Sequence, residues 1–227
     1  MSRSPYEFKT ERFSSHTLLL ERLPAAGLGR RVLDVGGGEG YLSQALEARG
    51  YEVVCIAAPG SVNSSFSPRV RLIEVDLDIE APQPGRFSFV LCGDILEHLR
   101  DPAAALGWAR RLLEPGGRLV ASFPNSGHLY VRWNVLCGRF PAHDRGLFDR
   151  THLHFFTWDG WRELLASAGF RIESVQPTAV PVALALPWLR NRVAVRALER
   201  ISYGLGQLHK TLFAYQFVVV ARPAEEP

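Results

Sequence analysis

A glycine-rich loop between an apolar strand and an amphipathic helix is the feature that most limits how this chain can fold. The loop reads VLDVGGGEG over residues 32–40, with glycines recurring at 36, 38 and 40. Glycine lets the backbone approach a ligand closely, and the N-terminus of the following helix offers free N–H donors. A dinucleotide fingerprint needs a glycine at the position that Tyr41 occupies, so the loop does not match that motif.

Predicted strands and helices alternate around this loop. Apolar runs predict strands at residues 31–35, 51–57, 70–75, 87–92 and 118–123, with helices at residues 41–49 and 102–113. The helix from Pro102 has Asp101 as its expected N-cap. Later segments predict a helix at residues 158–168, ended by Gly169, and strands at residues 170–175 and 213–221. This order predicts an α/β fold with a mostly parallel sheet.

The composition is that of an ordinary globular chain. Of 227 residues, 47% are hydrophobic, and 26 basic residues against 23 acidic ones give a net charge of +3. This balance excludes disorder for most of the chain. Cys55, Cys92 and Cys137 have no metal-ligand or redox spacing, so we expect free thiols in a reducing cytoplasm. We find no signal peptide, and the apolar run at residues 179–189 is about half the ~20 residues that span a bilayer.

The spacing D-x-G-x-G-x-G resembles motif I of class I S-adenosylmethionine-dependent methyltransferases. The segments FVLCGDILEHLRDP and LLEPGGRLVASFPN, and an acid after the third strand, stand where that family has its other motifs. The resemblance implies a Rossmann-like, seven-stranded, mostly parallel sheet with an antiparallel last strand and helical insertions. It implies S-adenosyl-L-methionine as cofactor, bound by Asp34, Gly36, Gly37, Gly38, Gly40, Ala57, Asp76, Leu77 and Gly93.

The end of the second strand departs from the family pattern. Relatives carry an acid there that accepts both ribose hydroxyls, whereas this chain has Ala57. Such a charge-assisted contact contributes about 1.5–3 kcal/mol. Either another group binds the ribose, with Ser61, Asn63 and Ser64 nearest, or the affinity for cofactor is weakened. A non-catalytic relative that acts as a partner subunit is the alternative.

The candidate chemical centre follows the fourth strand. Asp94, Glu97 and His98 would share one face if a helix begins there, and a later histidine, His152, precedes the helix at 158. The pattern resembles ubiquinone-biosynthesis and small-RNA O-methyltransferases, whose E-x-x-E-H motif and distant histidine hold a divalent metal. The resemblance implies Asp94, Glu97, His98 and His152 as candidate ligands of an ion such as Mg²⁺. In the metal-free alternative, His98 or His152 is the general base, and the predicted catalytic residues are Glu97, His98 and His152.

The second half of the chain resembles methyltransferase domains of bacterial polysaccharide and glycan gene clusters. This implies O-methylation of a sugar, glycan or related small-molecule hydroxyl, with an aromatic or natural-product hydroxyl as the alternative. The variable segment carries Arg132, Arg139, Arg145 and Arg150, interleaved with Tyr130, Trp133, Phe140 and Phe148. These side chains suit a sugar or planar acceptor with a phosphate or carboxylate. The alternative is a packed cap whose arginines are simply solvated.

We expect one methyltransferase domain over residues 1–227. Its predicted parts are a helical cap (1–29), a cofactor-binding half (30–124), a variable acceptor-site segment (125–157) and a C-terminal half (158–222) with an insertion at 177–211. The arginines at 192, 196 and 200 share a helical face and can contact phosphates or anionic lipid heads, so peripheral membrane contact is an open expectation. With a net charge of only +3, we expect no nucleic-acid partner. The sequence leaves the oligomeric state open.

Overall fold

A computed structural model describes residues 9–23, 29–62 and 66–224. Its strands are β1 (Arg31–Val35), β2 (Glu52–Ala57), β3 (Arg71–Glu74), β4 (Phe87–Gly93), β5 (Leu113–Pro124), β6 (Phe170–Pro177) and β7 (Gln216–Pro223). They form one sheet in the order β3-β2-β1-β4-β5-β7-β6. Strand β7 pairs antiparallel with both neighbours, β5 and β6, and the other pairs are parallel. The predicted mostly parallel sheet with an antiparallel last strand is confirmed.

The helices cover both faces of this sheet. They are α1 (Ser15–Arg22), α2 (Tyr41–Glu47), α3 (Pro102–Arg111), α4 (Leu129–Leu136), α5 (Trp158–Ser167), α6 (Val182–Ala185), α7 (Arg192–Leu208) and α8 (Lys210–Phe213). Alternating strand residues face the two sides, so one core cluster includes α3 and α5 and the other includes α1 and α2. Asp101 caps α3 as expected, because its Oδ1 accepts from Ala104 N at 2.8 Å.

Several boundaries differ from the prediction. The residues expected to begin the last strand wind into α8, so β7 starts at Gln216. The turn predicted at residues 114–117 interrupts β5, which pairs through Leu113 and again from Arg118. The helix expected to carry residues 94, 97 and 98 on one face is not formed, and a short 3₁₀ turn covers Leu96–His98.

None of the described helices is long and apolar enough to cross a membrane. All three cysteines are free thiols, and two of them are buried.

Candidate functional site

A cavity of about 440 Å³ lies at the carboxyl ends of the parallel strands. The sheet order reverses between β1 and β4, and this is where open α/β sheets bind ligands. The cavity wall is formed by the glycine loop, the end of β4, the segment before α1, residues 145–147, His152, residues 178–181, 183 and 184, Glu199 and the start of β7. Part of the glycine loop and part of the variable segment therefore meet at one cavity.

The glycine loop is held by β2 and is open towards the cavity at one position. The amides of Gly36 and Gly37 both donate to Ile56 O at 2.9 Å. A Cβ on Gly36 or Gly37 would lie 2.4 Å from the side chain of Ile95 or Cys55, so packing requires glycine at both. Gly38 differs, because its φ is +51° and no atom lies closer than 4.0 Å to an added Cβ. Its missing side chain leaves space on the cavity side.

Asp34 supports this loop from the end of β1. Its side chain is 1% exposed, and Oδ2 accepts from Ser43 Oγ at 2.6 Å. Burial raises the pKa of Asp34 to about 6, although the hydrogen bonds from Ser43 act in the opposite direction. The buried carboxylate is thus a source of instability at neutral pH.

The pH dependence of folding should reveal this burial. The folded-state pKa of Asp34 lies above the ordinary value of 3.8 that the unfolded chain has, so the group stabilises the folded state as pH falls through about 6. Relative to Asp34→Asn, the wild-type protein should gain about 1 kcal/mol of unfolding free energy between pH 7 and pH 5. Urea unfolding of both proteins at the two pH values measures this, and contributions of the buried histidines cancel in the difference. If the unfolding free energy changes equally in both proteins, or falls in the wild-type protein relative to Asp34→Asn, the raised pKa of Asp34 is contradicted.

Four predicted cofactor residues, Gly40, Ala57, Asp76 and Leu77, lie outside the cavity wall. Ala57 is 1% exposed and packs in the apolar cluster beside α2. Asp76 is exposed, with Oδ1 accepting from Asp78 N at 3.0 Å, and Leu77 packs against the core. The Ser61 hydroxyl donates to Ala58 O at 2.7 Å, and Asn63 and Ser64 lie outside the described residues. Gly40 begins α2 with its Cα against Phe66, also outside the wall.

Asp94 faces the N-terminal segment. Its Oδ2 accepts from Lys9 Nζ at 3.1 Å and from Ser15 Oγ at 3.2 Å, and Ser122 Oγ donates to Oδ1. Burial acts to raise the pKa of Asp94, but Lys9 and Ser122 outweigh it and hold the pKa well below its usual range. Because the predicted helix is absent, Asp94 does not join the other candidate ligands. It instead ties residues before and within α1 to the end of β4.

Glu97, His98 and His152 come together as one cluster, in which Glu97 is buried and the two histidines are half-buried. Their ligand atoms all lie within 4.8 Å of one another, and His152 Nε2 is 3.9 Å from Glu97 Oε1. Glu97 is 1% exposed, and its Oε2 has no hydrogen-bond partner among the described residues. Burial and the charge of Asp94 raise the pKa of Glu97 well above its usual range. Burial, with His98 nearby, lowers the pKa of His152 to about 4, so this imidazole is neutral at pH 7.

Backbone hydrogen bonds bring these distant residues together. The carbonyl of Glu97 accepts from Leu153 N at 2.8 Å and from His154 N at 3.3 Å. The ring of His98 is held by Thr151, whose Oγ1 is 3.0 Å from Nδ1. The Thr151 hydroxyl in turn donates to Asp149 Oδ1 at 2.6 Å. The segment after α4 is therefore fixed to the end of β4 next to the glycine loop.

Most of the arginines and aromatics of the variable segment lie outside the cavity wall. Of the four arginines and four aromatics considered for the acceptor, Arg145 alone lines the cavity. Phe148 is buried against Tyr130 and Phe140, and Trp133 is 62% exposed. Other cavity residues had no motif to reveal them, since long-range packing alone brings them there: Lys9, Phe13, His16, Glu199, Tyr215 and Gln216.

Comparisons with known proteins agree with this geometry. A family described as "Methyltransferase domain" matches residues 8–175. The chain is 34% identical to a ubiquinone biosynthesis O-methyltransferase of Xanthomonas campestris pv. campestris (strain B100), over 77% of this chain and 74% of that protein.

Solved structures share the fold. The S-adenosylmethionine-dependent methyltransferase of Mesorhizobium loti superposes with a TM-score of 0.61 at 19% identity, covering 92% of this chain and 98% of that one. The 1,6-didemethyltoxoflavin-N1-methyltransferase of Burkholderia thailandensis was solved with bound 1,6-didemethyltoxoflavin and S-adenosylhomocysteine. It superposes with a TM-score of 0.57 at 19% identity, covering 93% of this chain and 77% of that one. The chain belongs to the class I S-adenosylmethionine-dependent methyltransferases.

Proposed function

We propose that this protein methylates a hydroxyl oxygen of a small-molecule acceptor bound beside Glu97, His98 and His152. This cluster at the cavity wall, with a buried Glu97 oxygen that has no partner among the described residues, carries this proposal. S-adenosylmethionine supplies an electrophilic methyl group on a sulfonium, and the acceptor oxygen must approach it in line and lose its proton. The 34% identical Xanthomonas relative is named an O-methyltransferase, which supports oxygen as the acceptor atom.

The cluster is suited to remove the proton. His152 is a neutral imidazole at pH 7 because of its lowered pKa, so it can accept the hydroxyl proton as a general base. The nearby Glu97 carboxyl orients this ring and stabilises its charge once it is protonated. His98 packs edge-on against His152, with ring centroids 4.8 Å apart, and restricts its orientation.

The same residues also fit a divalent cation. Glu97 Oε2 is buried without a partner among the described residues, and two imidazoles offer nitrogen atoms within 4.8 Å. Mixed carboxylate and imidazole donors suit Mg²⁺, Mn²⁺ or Zn²⁺. Such an ion would lower the pKa of a bound acceptor hydroxyl. Asp94 is excluded from this proposed set by its bonds to Lys9, Ser15 and Ser122.

For the acceptor class we favour an aromatic or other weakly polar hydroxyl compound over a sugar. Part of the cavity wall is apolar, where Ala179, Val180, Pro181 and Leu184 line it. The name of the Xanthomonas relative places it in ubiquinone biosynthesis, which also favours an aromatic acceptor. A sugar or glycan acceptor remains a prediction from the sequence resemblance. The aromatic side chains of the variable segment, which would suit a sugar, do not line the cavity.

For the cofactor we propose contacts from Asp34, the loop glycines 36, 37, 38 and 40, Gly93, and Asp76 with Leu77. Ala57 leaves the ribose without an acid at the end of β2. Glu39 is an acid of the glycine loop that lines the cavity, and Tyr41 Oη donates to its Oε2 at 2.8 Å. We propose that Glu39 accepts the ribose hydroxyls in place of the absent acid.

Calorimetric titration with S-adenosylhomocysteine, with and without Mg²⁺, tests the cofactor site. We expect micromolar binding by the wild-type protein and at least tenfold weaker binding by Glu39→Gln, because one charge-assisted contact contributes about 1.5–3 kcal/mol. Glu80→Gln, at an exposed acid outside the cavity wall, is the matched control and should bind as the wild-type protein does. No binding by the wild-type protein would instead indicate a non-catalytic partner subunit.

An acceptor panel tests the reaction itself. We would measure S-adenosylhomocysteine formation with catechols and other phenols, and with methyl glycosides, in the presence of Mg²⁺ or EDTA. Turnover with phenols alone supports the favoured acceptor class, and turnover with glycosides alone contradicts it. Loss of activity in EDTA, restored by a divalent ion, would support the cation proposal over a metal-free general base.

A further inference from the structure

The long helix α7 turns its apolar side away from the protein. Leu198, Ile201, Leu205 and Leu208 follow one another at intervals of three or four residues, which places them on one side of the helix. Their exposed fractions are 39%, 59%, 39% and 85%. A helix in a globular protein normally buries such a stripe. Here the stripe faces outward, and no described element covers it.

The side of α7 that packs against the protein is polar or small instead. Glu199 and Gly206 are its buried residues. Ser202 Oγ accepts from Val180 N at 3.0 Å, and the ring of Tyr203 stacks on Phe13 at 4.2 Å. Because these contacts fix the inner side of α7, they also fix the direction in which its leucines point, away from the protein.

The segment around α7 also holds the positive charge of the chain. Residues 177–213 contain five basic residues and one acidic residue, so the remaining 21 basic and 22 acidic residues of the chain have a net charge of −1. The four arginines, at positions 190, 192, 196 and 200, are all exposed, and among the described residues none forms a salt bridge. The single acid, Glu199, faces inward and is 8% exposed.

The segment before α7 continues this surface to the cavity. Trp188 is 73% exposed, and tryptophan is enriched at the boundary between bilayer and water. Ala183 and Leu184 line the cavity and are also exposed to solvent. The apolar surface therefore reaches the rim of the proposed reaction site.

We propose that α6 and α7 dock this protein on an anionic bilayer surface, with the apolar stripe inserted among the lipids and the arginines at the headgroups. An exposed apolar stripe, on a helix whose other exposed charges are arginines and whose single acid is buried, matches the charge and polarity of such a surface. A second copy of the chain is the poorer occupant, because two copies of this segment would bring like charges together. Docking is independent of methyl transfer, and only the delivery of an acceptor from the bilayer rests on the proposed function.

Co-sedimentation with vesicles tests the docking. The full chain should bind vesicles of phosphatidylcholine with phosphatidylglycerol at least tenfold better than pure phosphatidylcholine, and this binding should weaken as salt increases. Arg192→Glu/Arg196→Glu and Ile201→Asn/Leu208→Asn should each lower the partition coefficient at least tenfold. Arg171→Glu and Ile79→Asn change exposed residues outside the segment, and they should leave the partition coefficient unchanged.

The same variants separate docking from the proposed function. Because all four substituted positions are exposed and outside the cavity wall, S-adenosylhomocysteine affinity should equal that of the wild-type protein. Absent vesicle binding, or binding that both double variants retain, would overturn the proposal. A concentration-dependent dimer in analytical ultracentrifugation, lost in Ile201→Asn/Leu208→Asn, would also overturn it by showing that a second copy covers the stripe.

Discussion

Replacing Gly38 with leucine is expected to weaken S-adenosylhomocysteine binding more than 100-fold. Gly38 has a φ of +51° and lines the cavity, and no atom lies within 4.0 Å of a Cβ built on it. A leucine side chain would extend into the space where we propose that the cofactor binds. Titration calorimetry with S-adenosylhomocysteine measures the loss.

Gly116→Leu is the matched control for this substitution. Gly116 has a φ of +79° and also has nothing within 4 Å, but it lies outside the cavity wall. Both leucines adopt the left-handed region at a cost of roughly 1–2 kcal/mol, so both variants should lose similar thermal stability. Only Gly38→Leu should lose cofactor binding. Unchanged affinity in Gly38→Leu would show that the loop does not hold the cofactor.

Removing the imidazole of His152 should lower turnover at least 100-fold and leave S-adenosylhomocysteine affinity within about threefold, because a positioned general base contributes about 10²–10⁴-fold. Glu97→Gln and His98→Ala should also lower kcat, since both side chains contact the same proton-accepting ring. The measurement is kcat and KM with the best acceptor of the hydroxyl panel, alongside calorimetry.

The control for the histidine cluster is His143→Ala, which changes an exposed histidine outside the cavity wall. This variant should retain wild-type turnover. Full activity in both His98→Ala and His152→Ala would remove the cluster from the mechanism. A fall in cofactor affinity as large as the fall in kcat would show that the histidines support the fold instead of the reaction.

The sheet and the glycine loop could be predicted because they depend on local signals. Apolar periodicity marked each strand, and the capping residue Asp101 marked the start of α3. The boundary of the last strand was predicted three residues too early, because the apolar residues at 212 and 213 fit a strand as well as the short helix that they form. Periodicity alone does not separate these two states in short apolar runs.

The candidate cluster could be predicted because a motif carries Glu97 and His98 and the same resemblance implies His152; the structure brings the three together. The contribution of Lys9 could not be found, because a salt bridge to a residue 85 positions away leaves no local pattern. The conformation of Asp94 could not be predicted either: a helix was expected there, and the residue has a φ of +52° instead. Long-range contacts decided both.

Two neighbouring anchor points close the variable segment into a loop. Ser126 N donates to Phe156 O at 3.0 Å, and the carbonyl of Glu97 holds Leu153 and His154. Both ends of the stretch between them are therefore held by backbone hydrogen bonds, which do not depend on its own side chains. Changes of length or sequence around α4, within this stretch, should leave these two anchor points in place.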